Sequence, residues 1–191
     1  MKYADYFKGI PLLETPRISL RAFTRDDIQP YEAIIGDPCV RRYLGNGVEP
    51  FKDQMAAERW LGNINGRLLK AKRVFTWCVT YKPEQSAIGR IDLGGFEYRT
   101  VGEISYHLAR DYWGRGLATE AVGAVLAFGT QKLKLHRIEA MVLPGNKASL
   151  VVLYKNGFEE EGLLRRHRFG REFHDAVMLS VIKEENLGAS K

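Results

Sequence analysis

The sequence predicts an α+β fold, a central sheet sandwiched by helices, and three observations point to it. The elements run strand, two helices, three strands, helix, strand, helix, two strands. The strand segments alternate apolar and polar residues, as half-buried strands do, instead of forming the continuous apolar runs of an all-parallel sheet. One of them, in the stretch GEISYHLARDYWGRGLAT at residues 102–119, gives way to a helix through a glycine-flanked turn.

Taken in order, residues 17–23 (RISLRAF) put Ile18, Leu20 and Ala22 on one side and form a first strand. Thr24 and Asp27 stand at capping-box spacing before Ile28, Tyr31, Ile34 and Ile35, and Gly36-Asp37-Pro38 ends that helix. A second helix over residues 55–69 carries an apolar stripe at Ala57, Trp60, Leu61, Ile64 and Leu68. Strands at 74–81 and 87–93 are joined by the turn Lys82-Pro83-Glu84-Gln85-Ser86. Next comes the organising strand, with Ile104, Tyr106 and Leu108 on one side and Glu103, Ser105 and His107 on the other. Its helix, marked by Leu117, Ala121, Val122, Val125 and Leu126, runs to about Lys134. Residues 137–143 form another strand. Asn146 caps the following helix, Gly157 stops it, and residues 158–169 and 172–182 form a hairpin around Gly170.

A helix start offers unpaired N–H groups and about half a unit of positive charge, and glycines let that backbone close on a ligand. Residues 114–119 therefore predict a seat for a diphosphate, helped by the cation of Arg115. No Gly-Lys-Ser/Thr follows, so this is not a P-loop. Thr119 stands where a dinucleotide fingerprint needs its third glycine, although Glu139 lies at the distance of the ribose-binding acid.

These residues resemble the GNAT N-acetyltransferases, whose Gln/Arg-x-x-Gly-x-Gly/Ala loop joins the fourth strand to the third helix. Gly116-Leu117-Ala118 matches its last three positions, and Trp113 replaces the Gln or Arg. The form Tyr-Trp-Gly-basic-Gly-x-Ala-Thr-Glu-Ala is similar to the RimJ/RimL branch, which acetylates ribosomal-protein N-termini. A second block, Asn146-x-x-Ser149 and Lys155-Asn156-Gly157-Phe158, follows at the family's distance. The resemblance covers about residues 17–182. It implies one GNAT domain over residues 1–191 with short terminal tails, built on a mixed, mostly antiparallel sheet with helices on both faces.

It also implies acetyl-CoA as cosubstrate, with no metal, and an acceptor that is a peptide N-terminus, such as that of a ribosomal protein, or a small amine. Gly114, Arg115, Gly116, Leu117, Ala118 and Thr119 would bind the diphosphate, and Asn146 the pantetheine amide. Two mid-sheet strands would splay apart, putting Leu108 and Ala109 against the cofactor with a free N–H for the oxyanion. Glu103 is the expected base, with His107 as rival. Many GNATs protonate the thiolate with a tyrosine four residues before the Gly-Phe glycine. That position is Leu153 here, so the role falls to Ser149 or to Tyr154, displaced by one residue. The two-helix segment would line the acceptor side, making Arg41, Arg42, Tyr43 and Trp60 contact candidates. Many such enzymes are dimers, so a homodimer is one option.

Composition sets outer bounds. The chain has 191 residues, 45% hydrophobic and 27% charged, enough to bury a real core. No apolar run approaches the ~20 residues of a membrane span, no signal-peptide core opens the chain, and a cytoplasmic location is expected. Cys39 and Cys78 make no framework, and the four histidines have no metal-ligand spacing. Twenty-nine basic against 23 acidic residues give a net charge of +6, which suits an anionic cosubstrate, ribosomal RNA or an acidic surface. The basic run at 165–171 is a hairpin tip open to those partners. Rival functions are a non-catalytic CoA-binding or ribosome-associated module and a nucleotide-binding oxidoreductase.

Overall fold

The computed structural model describes residues 3–44, 48–169 and 172–183. A short 3-10 turn (Tyr3–Lys8) leads into β1 (Leu13–Glu14) and β2 (Ile18–Arg21), then α1 (Ile28–Gly36), α2 (Pro38–Arg41), α3 (Gln54–Gly62) and α4 (Leu68–Lys70). β3 (Val74–Tyr81), β4 (Ser86–Glu97) and β5 (Val101–Leu108) form the middle, followed by α5 (Leu117–Ala127), β6 (Arg137–Val142), α6 (Lys147–Tyr154), β7 (Glu159–Phe169) and β8 (Glu172–Ile182). The strands make one eight-stranded sheet in the order β1-β2-β3-β4-β5-β6-β8-β7. Every pairing is antiparallel except β5 with β6. A mixed, mostly antiparallel sheet rules out the parallel dinucleotide-binding architecture.

Alternation along the strands splits the core between two faces. Phe75, Trp77, Val79, Ile91 and Leu93 pack with Leu117, Ala121, Val122 and Val125 of α5 and Leu153 of α6. On the other face Cys78 and Ala87 meet Phe23, Tyr31, Ile35 and Ile64. Each fully buried large apolar side chain contributes roughly 1.5–3 kcal/mol, so the central strands anchor both layers.

Two expected details change. The strand ends at Arg21, and Phe23 rather than Ala22 is buried, because the chain leaves the pleat to enter the capping turn. Between α3 and α4 a π turn (Asn63–Arg67) inserts one extra residue. Leu69 therefore reaches the α5-side core, while Leu68 packs only in part against the other cluster. A second π turn (Phe128–Lys132) ends the α5 helix before Lys134.

The predicted capping box at Thr24 forms and holds a buried charge. Asp27 accepts hydrogen bonds from the Thr24 backbone at 2.7 Å and from Arg21 at 2.6 and 2.8 Å. Burial alone would raise its carboxyl, but the Arg21 and Thr24 hydrogen bonds outweigh burial and hold it below the ordinary range. Such a group stabilises the fold fully above its unfolded pKa of about 4, and that contribution is lost as pH falls through the lower folded value. Asp27→Asn should cost about 2 kcal/mol at neutral pH, less than a fully buried pair because part of Arg21 reaches water. Urea melts at several pH values should show the gap between variant and wild type narrowing in acid; a constant gap would reject this account.

Candidate active site

The site forms where two neighbouring strands stop pairing. β5 and β6 are in register only over Val101–Glu103 and Arg137–Glu139, so β5 runs on to Leu108 without that partner. The register fixes which amides face the gap. The Ala109 N–H donates to the Ile88 carbonyl at 2.8 Å. Antiparallel pairs alternate, so the peptide groups of Leu108 and Tyr106 point away from β4 into the gap. Of the two residues expected to offer a free N–H, Ala109 is thus engaged and Leu108 is the one aimed outward. The Leu108 carbonyl accepts from the Trp113 indole at 2.8 Å, which leaves its N–H as the open group.

The glycine turn brings the start of α5 to the same gap. Gly114 and Gly116 have φ of +71° and +75°, the left-handed region where a side chain is strained, and Gly116 is the helix N-cap. A glycine has no capping side chain, so the first amides of α5, those of Leu117, Ala118 and Thr119, face open space. Glu120 in that first turn does not block them. Its carboxylate is taken by Thr15 at 2.5 Å and by the Arg17 Nε at 2.7 Å, and Arg17 Nη1 holds the Arg115 carbonyl at 2.8 Å. The Arg115 side chain, expected on the diphosphate, instead lies over the Tyr81 and Tyr112 rings at 4.9 and 5.2 Å and bonds the Tyr81 hydroxyl at 2.9 Å. Cation–π contact with two rings and a hydrogen bond outcompete hydration there.

A cavity of about 450 Å³ runs from this turn across the gap, walled by Tyr43, Tyr106, His107, Leu108, Trp113, Gly114, residues 116–119, Asn146 and Ser149. Asn146 caps α6 by accepting the Ser149 N–H at 3.2 Å, which turns both residues toward the cavity. Sequence reasoning missed one member. The alternation sets Tyr106 on the same side as Ile104 and Leu108 and gives it no role, yet its hydroxyl lies 2.9 Å from Ser149 Oγ and donates to the Ser149 carbonyl at 3.1 Å. Period-2 alternation gives the face of a side chain but not how far its tip reaches, and only the position of α6 could reveal this.

The polar row on the other face divides. Ser105 is exposed and donates to Asp92 at 3.3 Å. His107 sits 5.7 Å from the Tyr31 ring with Nε2 buried and unpartnered among the described residues. Burial first, then the Arg90 cation, pushes its imidazole down to about 3. Glu103 stands at the last β5–β6 pair, off the cavity wall. Water reaches it, but loss of hydration over the sheet and then the Glu139 carboxylate raise its carboxyl, with His167 pulling the other way. Burial therefore inverts the ordinary order of basicity, and Glu103 becomes the stronger base of the two.

Other candidates stand apart from the gap. Tyr154 is exposed and bonds Glu160, while Leu153 is fully buried. Trp60 is stacked on Tyr31 at 5.0 Å in an aromatic cluster with Phe23 and Phe51. Tyr43 reaches the cavity and bonds the Gly145 carbonyl at 3.2 Å, with Arg42 over its ring at 5.6 Å. Glu139 pairs with Arg137 at 2.6 Å. In the hairpin, residues 165, 166 and 168 are exposed, and Gly170 and Arg171 lie outside the described residues. His174 bonds Glu172 at 2.9 Å rather than Asp175, which accepts the Arg166 N–H at 2.8 Å. Burial pushes the Cys78 thiol up to about 12. Among the described residues no helix is long and apolar enough to cross a membrane.

A splayed sheet with an uncapped glycine-opened helix on its gap defines an acyl-transfer class of site. The sequence profile of the acetyltransferase (GNAT) domain matches residues 17–159, and the chain belongs to that family of acetyltransferases. It is 32% identical over 178 residues to p20 of Bacillus licheniformis, an uncharacterised N-acetyltransferase, covering 92% of this chain and 98% of that one. A GNAT acetyltransferase of Bacillus anthracis superposes with a TM-score of 0.78 at 26% identity, covering 92% and 100% of the two chains. RimJ of Mycobacterium smegmatis, solved with CoA-disulfide, has the same fold, with a TM-score of 0.77 at 23% identity over 96% and 91%.

Proposed function

We propose that this protein transfers the acetyl group of acetyl-CoA to a primary amine, by direct attack and without a covalent enzyme intermediate. One observation carries the reading: the open amides of α5 and the outward N–H of Leu108 face a single cavity. The first suits a diphosphate and the second an oxyanion, and acyl transfer from CoA needs both. The CoA-disulfide bound to the similar RimJ fold supports the same ligand class.

In this reading Leu117, Ala118 and Thr119 bind the diphosphate through backbone N–H groups. Arg17 steadies their loop, and the Asn146 amide bonds the pantetheine arm. Leu108 stabilises the oxyanion, and Ser149 hydrogen-bonds the departing sulfur. Glu103 lies five strand residues from Leu108, about 16 Å along the backbone and farther than one water spans, so it takes the amine proton through a chain of waters. The acceptor is a protein N-terminal amine or a small amine, the protein acts in the cytoplasm as a single domain, and no metal takes part.

Thiol release from acetyl-CoA, followed across N-terminal peptides and small amines, tests this. Release that depends on one acceptor class supports it. Tight CoA binding with no turnover of any amine would make the chain a CoA-binding module instead.

A further inference from the structure

Resting on that reading, a second residue is assigned to the leaving group. We propose that Tyr106 and Ser149 form a two-hydroxyl clamp that holds the departing sulfur as a thiolate, without protonating it.

Three observations lead there. The tyrosine position usual in such enzymes is Leu153, fully buried, and Tyr154 points away to Glu160. The other tyrosines on the cavity wall are spoken for, since Tyr43 bonds the Gly145 carbonyl and Tyr112 bonds Glu84. Tyr106 alone brings its hydroxyl to Ser149, 2.9 Å from Oγ, with both residues on the cavity wall.

The proton count explains why two hydroxyls matter. The Ser149 carbonyl can only accept, so with the phenol proton on it, at 3.1 Å, the Ser149 proton points at the phenol oxygen. Rotating the phenol proton onto Ser149 Oγ frees the serine proton to face the cavity. A donor can thus turn to the sulfur with no movement of heavy atoms.

Acidity decides between donating a hydrogen bond and giving up a proton. Burial, only partly offset by Ser149, pushes the Tyr106 phenol up to about 12, far above an ordinary thiol near 8.5. Passing a proton from Tyr106 through Ser149 to the sulfur would therefore run uphill, whereas a charge-assisted hydrogen bond from the Ser149 hydroxyl to the thiolate is favourable. In the step itself the neutral amine nitrogen bonds the acetyl carbon with its lone pair, the C–S bond breaks and sulfur keeps that bond's electron pair. The amine proton passes to Glu103 and then to solvent, and sulfur is protonated by water after it leaves the clamp.

The test is an ultraviolet titration of the thiol of CoA bound to wild type, Tyr106→Phe and Ser149→Ala. In wild type the bound thiol should ionise about tenfold more readily than in free CoA, and each variant should lose most of that. Lys147 and Lys155 on the same wall act in all three proteins, so the difference isolates the hydroxyls. Affinity for CoA should change little, and kcat should fall about tenfold in Tyr106→Phe. A thiol that titrates identically in wild type and Tyr106→Phe overturns the clamp. So does a solvent hydrogen isotope effect on thiol release that Tyr106→Phe abolishes, since that marks proton transfer. Failure of CoA to bind wild type would instead overturn the proposed function.

Discussion

Glu103→Gln should lower kcat about a hundredfold while leaving thermal stability unchanged or slightly higher. The two halves share one cause. A general base contributes typically 10²–10⁴-fold, and a base acting through water belongs at the lower end. It must be ionised to act, so wild-type kcat/KM should rise with pH through a midpoint above the ordinary carboxylate range, where lost hydration and Glu139 place it. The glutamine variant should lack that limb. The same raised value means the folded protein favours the protonated form, so an ionised Glu103 at neutral pH opposes folding and a neutral amide does not. Loss of activity together with loss of stability would mark Glu103 as a structural residue. An unchanged pH profile would hand the role to another group.

Gly89→Ala should be the most damaging single methyl in the sheet. A Cβ there would lie 2.3 Å from the His107 carbonyl oxygen, 2.6 Å from Leu108 Cδ2 and 3.0 Å from Leu108 Cα. Gly89 and Leu108 face each other in a narrow, non-hydrogen-bonded pair, and the obstacle is backbone, which cannot rotate aside. β5 must move off β4 at the one residue whose N–H is aimed into the gap. Overpacking of this kind costs about 3 kcal/mol, which lowers Tm by about 10 °C in a chain of this size. We expect kcat to fall more than a hundredfold even where the protein is still folded. Gly62→Ala is the control: nothing lies within 4 Å of its Cβ, and it ends α3 in helical conformation. That change should raise stability by about 0.5 kcal/mol. A Gly89→Ala protein with wild-type melting and turnover would mean that β4 and β5 are not packed as described.

The sequence revealed elements wherever local chemistry decides the outcome. Thr24 and Asp27 cap as their spacing implies, Asn146 and Gly157 bound α6, and the glycine turn opens α5. What stayed hidden depends on partners distant in sequence. Nothing in residues 63–67 announces a π turn, because the need for it comes from two cores that claim Ile64 and Leu69 separately. Arg115 reads as a phosphate cation until Tyr81, thirty-four positions away, supplies its hydroxyl. Ala109 reads as a free amide until the β4 register assigns its N–H to Ile88. Tyr106 is the largest omission, and its contact with Ser149 exists only because β5 outruns β6 and α6 sets Ser149 beside the opening.

The central claim is that one cavity seats a CoA diphosphate on the start of α5 and brings its sulfur to Leu108. A crystal structure with bound CoA tests this most directly. The account predicts phosphate oxygens on the N–H groups of Leu117, Ala118 and Thr119, and sulfur in the gap between β5 and β6, beside Leu108, Ser149 and Tyr106. CoA bound on another surface, with the gap closed by strand pairing, would contradict it.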